Sequence, residues 1–164
     1  MWEETELFTH INFQKLRPLS FGLYSCVYYD GIYVVKLTYN LSASITQLLL
    51  HMQTPYGFRI YGYAVNAQIP SIFYDLATSQ GFYSSGRVEK NVYMHRKTDV
   101  LITEYIPPVM DPKKKYSEHY VKRMYGLARR IQEDYTQKTS EYWIDAHPWN
   151  LGKRADGSYV IIDL

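Results

Sequence analysis

A chain of 164 residues has room for one ordinary domain with a real hydrophobic core, and its formal net charge of +2, with the signs interspersed, excludes a global field for DNA or acidic lipid. No DNA partner is therefore expected, and RNA is disfavoured on charge alone. A single cysteine, Cys26, excludes an internal disulfide framework, the opening residues are acidic rather than leader-like, and no apolar run reaches spanning length, so the chain reads as soluble, cytoplasmic and without a membrane partner.

Residues 1–15 mix acidic positions with Trp2, Leu7, Phe8, Ile11 and Phe13, the pattern of a short helix packed on the first strand. Two β-rich runs, 16–29 and 32–37, meet at Asp30 and Gly31, a strong hairpin signal. Small residues at Ser20, Gly22 and Ser25 stand among Phe21, Tyr24 and Val27. Backbone N–H groups free of bulky side chains can close over phosphate oxygens, although an ordinary strand-turn-strand has the same composition. Lys36 is an isolated cation in an apolar strand, where a lysine is most often a solvent-face residue. Alternation puts Val34 and Lys36 on one face and Val35 and Leu37 on the other, so Lys36 can point into a cleft.

Asn40 or Ser42 can cap a helix with Leu41, Ile45, Leu48, Leu49 and Met52 on its apolar side and Ser44, Gln47 and His51 on a polar stripe. Between Asp30 and Asp75 there is no Asp or Glu. Residues 58–65 and 69–74 have strand composition, and 78–86 has loop composition. Residues 91–96 and 100–106 predict an antiparallel pair around a polar turn at 97–99, with Pro107 and Pro108 stiffening the exit. After the basic run 113–115, residues 116–138 form the clearest helix. Tyr120, Met124, Leu127, Ile131 and Tyr135 make its apolar stripe, and Lys122, Arg123, Arg129, Arg130 and Glu133 cover the other side. Those charges can contact an acidic substrate or RNA, but a solvated helix face is the commoner use of them.

The polar loop 142–152 leads to a turn signal at Asp156 and Gly157 and a β-branched run at 159–162, which delivers Asp163 back beside Asp145 and Asn150. Two carboxylates and an amide brought together can hold one or two Mg²⁺ ions and orient a hydroxyl. Each of them singly is equally well read as a turn former.

Taken in order, these features resemble the protein-kinase-like superfamily, and the D-x-H-x-x-N form of the 145–150 loop is similar to atypical bacteriophage serine/threonine protein kinases. The resemblance implies an α+β, protein-kinase-like fold. An antiparallel N-lobe sheet with one αC-like helix would span 1–104, and an abbreviated helical C-lobe carrying the catalytic-loop hairpin would span 105–164. It implies ATP and Mg²⁺ as cofactors, and transfer of the γ-phosphate to Ser/Thr of a protein substrate, in the host cytoplasm if the chain is phage-encoded. Ser20, Phe21, Gly22, Tyr24, Ser25 and Val27 would then cover the nucleotide, as a glycine-rich loop with two glycines replaced by serine. Lys36 would hold the α/β-phosphates, Thr103 would back the adenine pocket, and Glu104 and Ile106 would offer the adenine backbone groups. Asp145 would orient the acceptor hydroxyl, His147 would contact the γ-phosphate, and Asn150 and Asp163 would hold metal.

The chain departs from the family in two ways. The αC position offers Lys36 no carboxylate, leaving Gln47 as a neutral and weaker substitute. Only one residue follows Asp163, so no activation segment is expected. Two other functions fit the same motifs: a pseudokinase-like interaction module that binds and inhibits a partner protein, and a small-molecule phosphotransferase of the aminoglycoside or choline type.

Overall fold

Buried positions alternate with half-buried ones along residues 25–29 and 34–38, as a sheet with one face sealed requires, and the computed structural model has that sheet. It describes residues 1–21, 25–38, 45–79, 97–111, 113–141 and 146–162, with Phe21 and Lys97 described by backbone alone. The predicted Gly22, Tyr24, Asn40, Ser42, Ser44, Asp145 and Asp163, and the strand at 91–96, lie outside the described residues. The backbone groups into two compact units, one of residues 1–45 and 59–105, the other of 46–58 and 106–164.

The first unit is an antiparallel five-stranded sheet in the order β1-β2-β3-β5-β4, built from β1 (Arg17–Phe21), β2 (Ser25–Tyr29), β3 (Tyr33–Thr38), β4 (Ile60–Gln68) and β5 (Lys97–Glu104). The β2-β3 turn forms at the predicted place. Gly31 takes φ +100, and the Asp30 carboxylate accepts from the backbone N–H groups of Asn12, Ile32 and Tyr33 at 2.7–2.9 Å.

One sheet face presents Cys26, Tyr28, Val35, Leu37, Ala64, Val100 and Ile102 to a core shared with Leu7, Ile11 and Phe73. Burial pushes the Cys26 thiol up to about 12, which makes it an inert packing group. The opening residues form 3-10 turns (Glu4–His10 and Phe13–Lys15) rather than an α-helix, and they lie over β4, where the Trp2 N–H donates to the Tyr61 carbonyl at 2.8 Å.

Two expectations are corrected here. Residues 69–74 are not a strand but belong to α2 (Ser71–Ser79) and the bend before it. Ile72, Phe73, Leu76 and Ala77 recur at helical spacing, and Pro70 stands just ahead of the first turn, where its missing N–H costs nothing. Residues 97–99 are not a turn but the start of β5. The Thr98 hydroxyl donates to the Thr38 carbonyl at 2.9 Å, and the Asp99 carboxylate accepts from the Asn66 N–H at 2.8 Å, so these polar side chains fasten the strand.

The second unit contains α1 (Ile45–Met52), α3 (Glu118–Thr139) and the hairpin of β6 (Leu151–Lys153) and β7 (Tyr159–Ile161). Ser117 caps α3 by accepting from the Tyr120 N–H at 3.1 Å, and Ser140 ends it in the left-handed region with φ 60. The apolar side of α3 packs Ile131 and Tyr135 against Leu151 and Ile161. Gly157 at φ +88 closes the hairpin, and Asp156 accepts from the Ser158 N–H at 2.8 Å. Among the described residues no helix is long and apolar enough to cross a membrane.

Candidate functional site

The second face of the sheet differs in kind from the sealed one. Strand register places Ser20, Val27, Lys36, Leu101 and Tyr63 in one row across all five strands. Tyr29, Val34, Thr103 and Ile60 form the next row. Lys36 thus shares a face with Val34, as alternation predicts, and is flanked by the aliphatic side chains of Val27 and Leu101. It is half-buried, and among the described residues no carboxylate lies within ion-pair distance of its ammonium. A cation held on an apolar floor with no internal counter-charge attracts a ligand anion more strongly than one in water, because its field is less screened.

At the end of β5 the Thr103 hydroxyl donates to the Glu104 carbonyl at 3.1 Å. Glu104 is tied to Arg59 twice. Its N–H donates to the Arg59 carbonyl at 3.0 Å, and its carboxylate accepts from the Arg59 N–H at 2.8 Å. The predicted hinge strand is therefore anchored on one side by β4, and the N–H of Glu104 is committed to the protein.

In the second unit, a short 3-10 turn (Pro148–Asn150) begins with proline at its first position, where the ring pre-sets φ. It brings His147 and Asn150 together. The Asn150 amide nitrogen stands 3.2 Å from His147 Nε2. Donation in that direction makes Nε2 the acceptor and puts the ring proton on Nδ1. Asn150 is buried, and its backbone carbonyl accepts from the Ile162 N–H at 2.9 Å, so the hairpin strand holds the turn from behind. Ile106 is also buried in this unit. Ser20 is exposed and Ser25 half-buried.

The helix α1 departs from its predicted polar stripe. Gln47 is exposed, but His51 is only 1% exposed. Its Nε2 lies 3.3 Å from the Ile161 carbonyl, and its ring packs on Phe58 and Tyr135 at 5.7 and 5.5 Å. Burial lowers its pKa below the ordinary 6.5, against the opposing pull of the Ile161 and Tyr56 carbonyls, so the folded chain holds it neutral. Sequence reasoning missed this residue because a histidine three places from Leu48 has the spacing of either face. It also missed Leu101 and Tyr63 beside Lys36, which only cross-strand register can supply.

Tyr56 is a further paired group. Burial and its hydrogen bond to the Asp134 carboxylate push its hydroxyl up to about 12, while Tyr56 and Lys138 hold Asp134 below the usual carboxylate range. No protein-family model matches the chain, and no curated protein shows significant similarity to it.

Proposed function

We propose that the protein is an atypical, minimal protein-kinase-like phosphotransferase that uses Mg-ATP to phosphorylate Ser/Thr hydroxyls of a protein substrate. The observation that carries this reading is the Lys36 ammonium, which no carboxylate among the described residues pairs, on the half-buried sheet face, set between Val27 and Leu101 with Val34 and Thr103 in the adjoining row. An aliphatic floor suits a purine ring, and a cation two residues along the same strand suits its phosphates. Lys36 holds the α/β-phosphates, and Asp145 orients the acceptor hydroxyl. With a loose transition state, the chain's contribution is positioning and charge neutralisation rather than covalent chemistry.

Asn150 and Asp163 are the residues that would hold Mg²⁺. A side-chain amide oxygen is a hard donor of the kind the ion takes, and the nitrogen end of the Asn150 amide is the one turned to His147. Asp163 would supply the carboxylate donor, and among the described residues no group of three or more His, Cys, Asp or Glu gathers into a metal site. When bound, the ion supplies charge neutralisation at the phosphate oxygens.

The test is thermal unfolding with ATP, with and without Mg²⁺, alongside transfer of labelled γ-phosphate. At ligand a hundredfold above its dissociation constant, linkage predicts about 2.7 kcal/mol of added stability. The added stability is expected to vanish in Lys36→Met, and label transfer in Asp145→Asn. A protein that ignores ATP, yet captures a partner equally well with and without nucleotide, would be an interaction module instead.

A further inference from the structure

The exposed side of α3 carries Lys122, Arg123, Arg129 and Arg130, with Gly126 at their centre. Relative to Gly126 these four stand at i−4, i−3, i+3 and i+4, the positions that adjoin it on a helix surface. All five residues are exposed. Glycine is a poor choice inside a helix, and packing does not require it here, because a Cβ at 126 would meet nothing within 4 Å. What the missing side chain provides is a bare floor inside a ring of cations.

The charges on that ring are available. The nearest acid to Lys122 is Glu118 at 3.9 Å, a pair in which both side chains are largely exposed and which is correspondingly weak. Among the described residues no carboxylate lies within ion-pair distance of Arg123, Arg129 or Arg130. The stretch 113–130 holds seven Lys or Arg against one Glu in a chain whose net charge is only +2, so the basic character is local to this segment.

An aromatic edge borders the ring. Tyr125 adjoins Lys122 and Arg129 at i−3 and i+4. It is 42% exposed and meets Trp149, 36% exposed, edge to face with ring centroids 6.0 Å apart. Two exposed rings beside three arginines with no ion-pair partner among the described residues, and a lysine whose one pair is weak, form an interleaved surface, which a charge run alone does not.

We propose that this face binds a single-stranded polynucleotide, with phosphodiester groups seated over Gly126 among the four cations and bases stacked on Tyr125 and Trp149. Three of the four cations are arginines, whose planar fork fits phosphate oxygens in pairs. An acidic peptide would also satisfy the charges, but it leaves the rings without a role, whereas every base has a face to stack. The surface borders the turn that carries Asn150, and the proposal does not depend on phosphotransfer.

The test uses the full chain and fluorescein-labelled oligouridylate and oligothymidylate, read by anisotropy across a salt series. Neutralising four phosphates predicts a slope of log K against log salt of about −2.8 for single strands, falling to about half that in Arg123→Gln/Arg130→Gln. Gly126→Glu, which has open space for its side chain, is expected to weaken binding by roughly tenfold or more, and Trp149→Ala to weaken it with the salt slope unchanged. Circular dichroism checks that each variant is folded. Binding of either oligonucleotide with these dependences supports the proposal, and a preference for uridylate adds contacts to the 2′-hydroxyl. It is overturned by no binding at about 50 mM salt, by binding that folded Gly126→Glu and the double variant leave unchanged, or by a polyglutamate peptide that competes as well as the oligonucleotides.

Discussion

In the unit of residues 1–45 and 59–105, buried polar side chains are spent on the backbone. Asp30 closes the β2-β3 turn, Thr98 and Asp99 pin the start of β5, and the Tyr28 hydroxyl donates to the Phe73 carbonyl at 2.9 Å. In the unit of residues 46–58 and 106–164, by contrast, His51 Nδ1, both amide atoms of Gln132 and the Thr136 hydroxyl are buried with no hydrogen-bond partner among the described residues. Unsatisfied buried polar atoms are rare in folded proteins and each costs on the order of 1–3 kcal/mol. The first unit is therefore organised as a scaffold in which local and global preferences agree. The second, among its described residues, keeps polar atoms that its own stability does not call for, which is where sequence and fold preferences part.

The sharpest test of the scaffold side is Phe73. It is fully buried, meets the rings of Phe8, Phe13 and Tyr28, and lends its carbonyl to Tyr28. Phe73→Ala removes all the ring contacts at once and is expected to cost about 3–5 kcal/mol in urea unfolding. A loss below about 1 kcal/mol would mean that the core collapses around the gap, and that the sheet is less rigidly packed than its burial indicates.

How much could be read from the chain cuts across the two units and follows the range of the signal. The turns at Asp30 and Gly31 and at Asp156 and Gly157, the two-faced strand carrying Lys36, and the stripe of α3 are local signals, and each appears where its residues predict. Nonlocal features were hidden. Nothing in residues 97–99 says that Thr98 will reach Thr38, and nothing near Ile72 and Phe73 separates a short helix from a strand until all of 71–79 is weighed. The candidate site is split likewise. Lys36 and Val34 follow from alternation, but Leu101 and Tyr63 join them only through pairing with strands much later in the chain. The exposed ring beside the basic face of α3 needed Trp149, which lies in another element.

His51 gives the next effect. Its folded pKa lies below the ordinary 6.5 because burial penalises the imidazolium. The unfolded chain therefore binds the extra proton first, and the stability from keeping this ring neutral is present in full above 6.5 and lost as pH falls toward the folded value. Melting temperature is expected to fall between neutral pH and pH of about 5, before carboxylates such as Asp134 begin to protonate. His51→Phe keeps a ring between Phe58 and Tyr135 and should flatten that part of the profile. An unchanged slope in the variant would place the titration in another group.

The smallest expected effect has the opposite sign from the rest, which makes it the most discriminating. Gln132 is buried on α3 with neither end of its amide satisfied among the described residues, one turn before Thr136 on the same side of the helix. Methionine has nearly the same length and shape and no polar atoms to desolvate, and both residues are good helix formers. Gln132→Met should therefore raise stability by about 1 kcal/mol, visible as a higher urea midpoint with an unchanged m-value. No comparable gain is open at Thr98 or Asp99, where the side chain holds a backbone partner and its removal can only cost stability. If Gln132→Met destabilises the chain instead, the amide is engaged by a partner in the working protein, and the contrast between the two units narrows to His51 and Thr136.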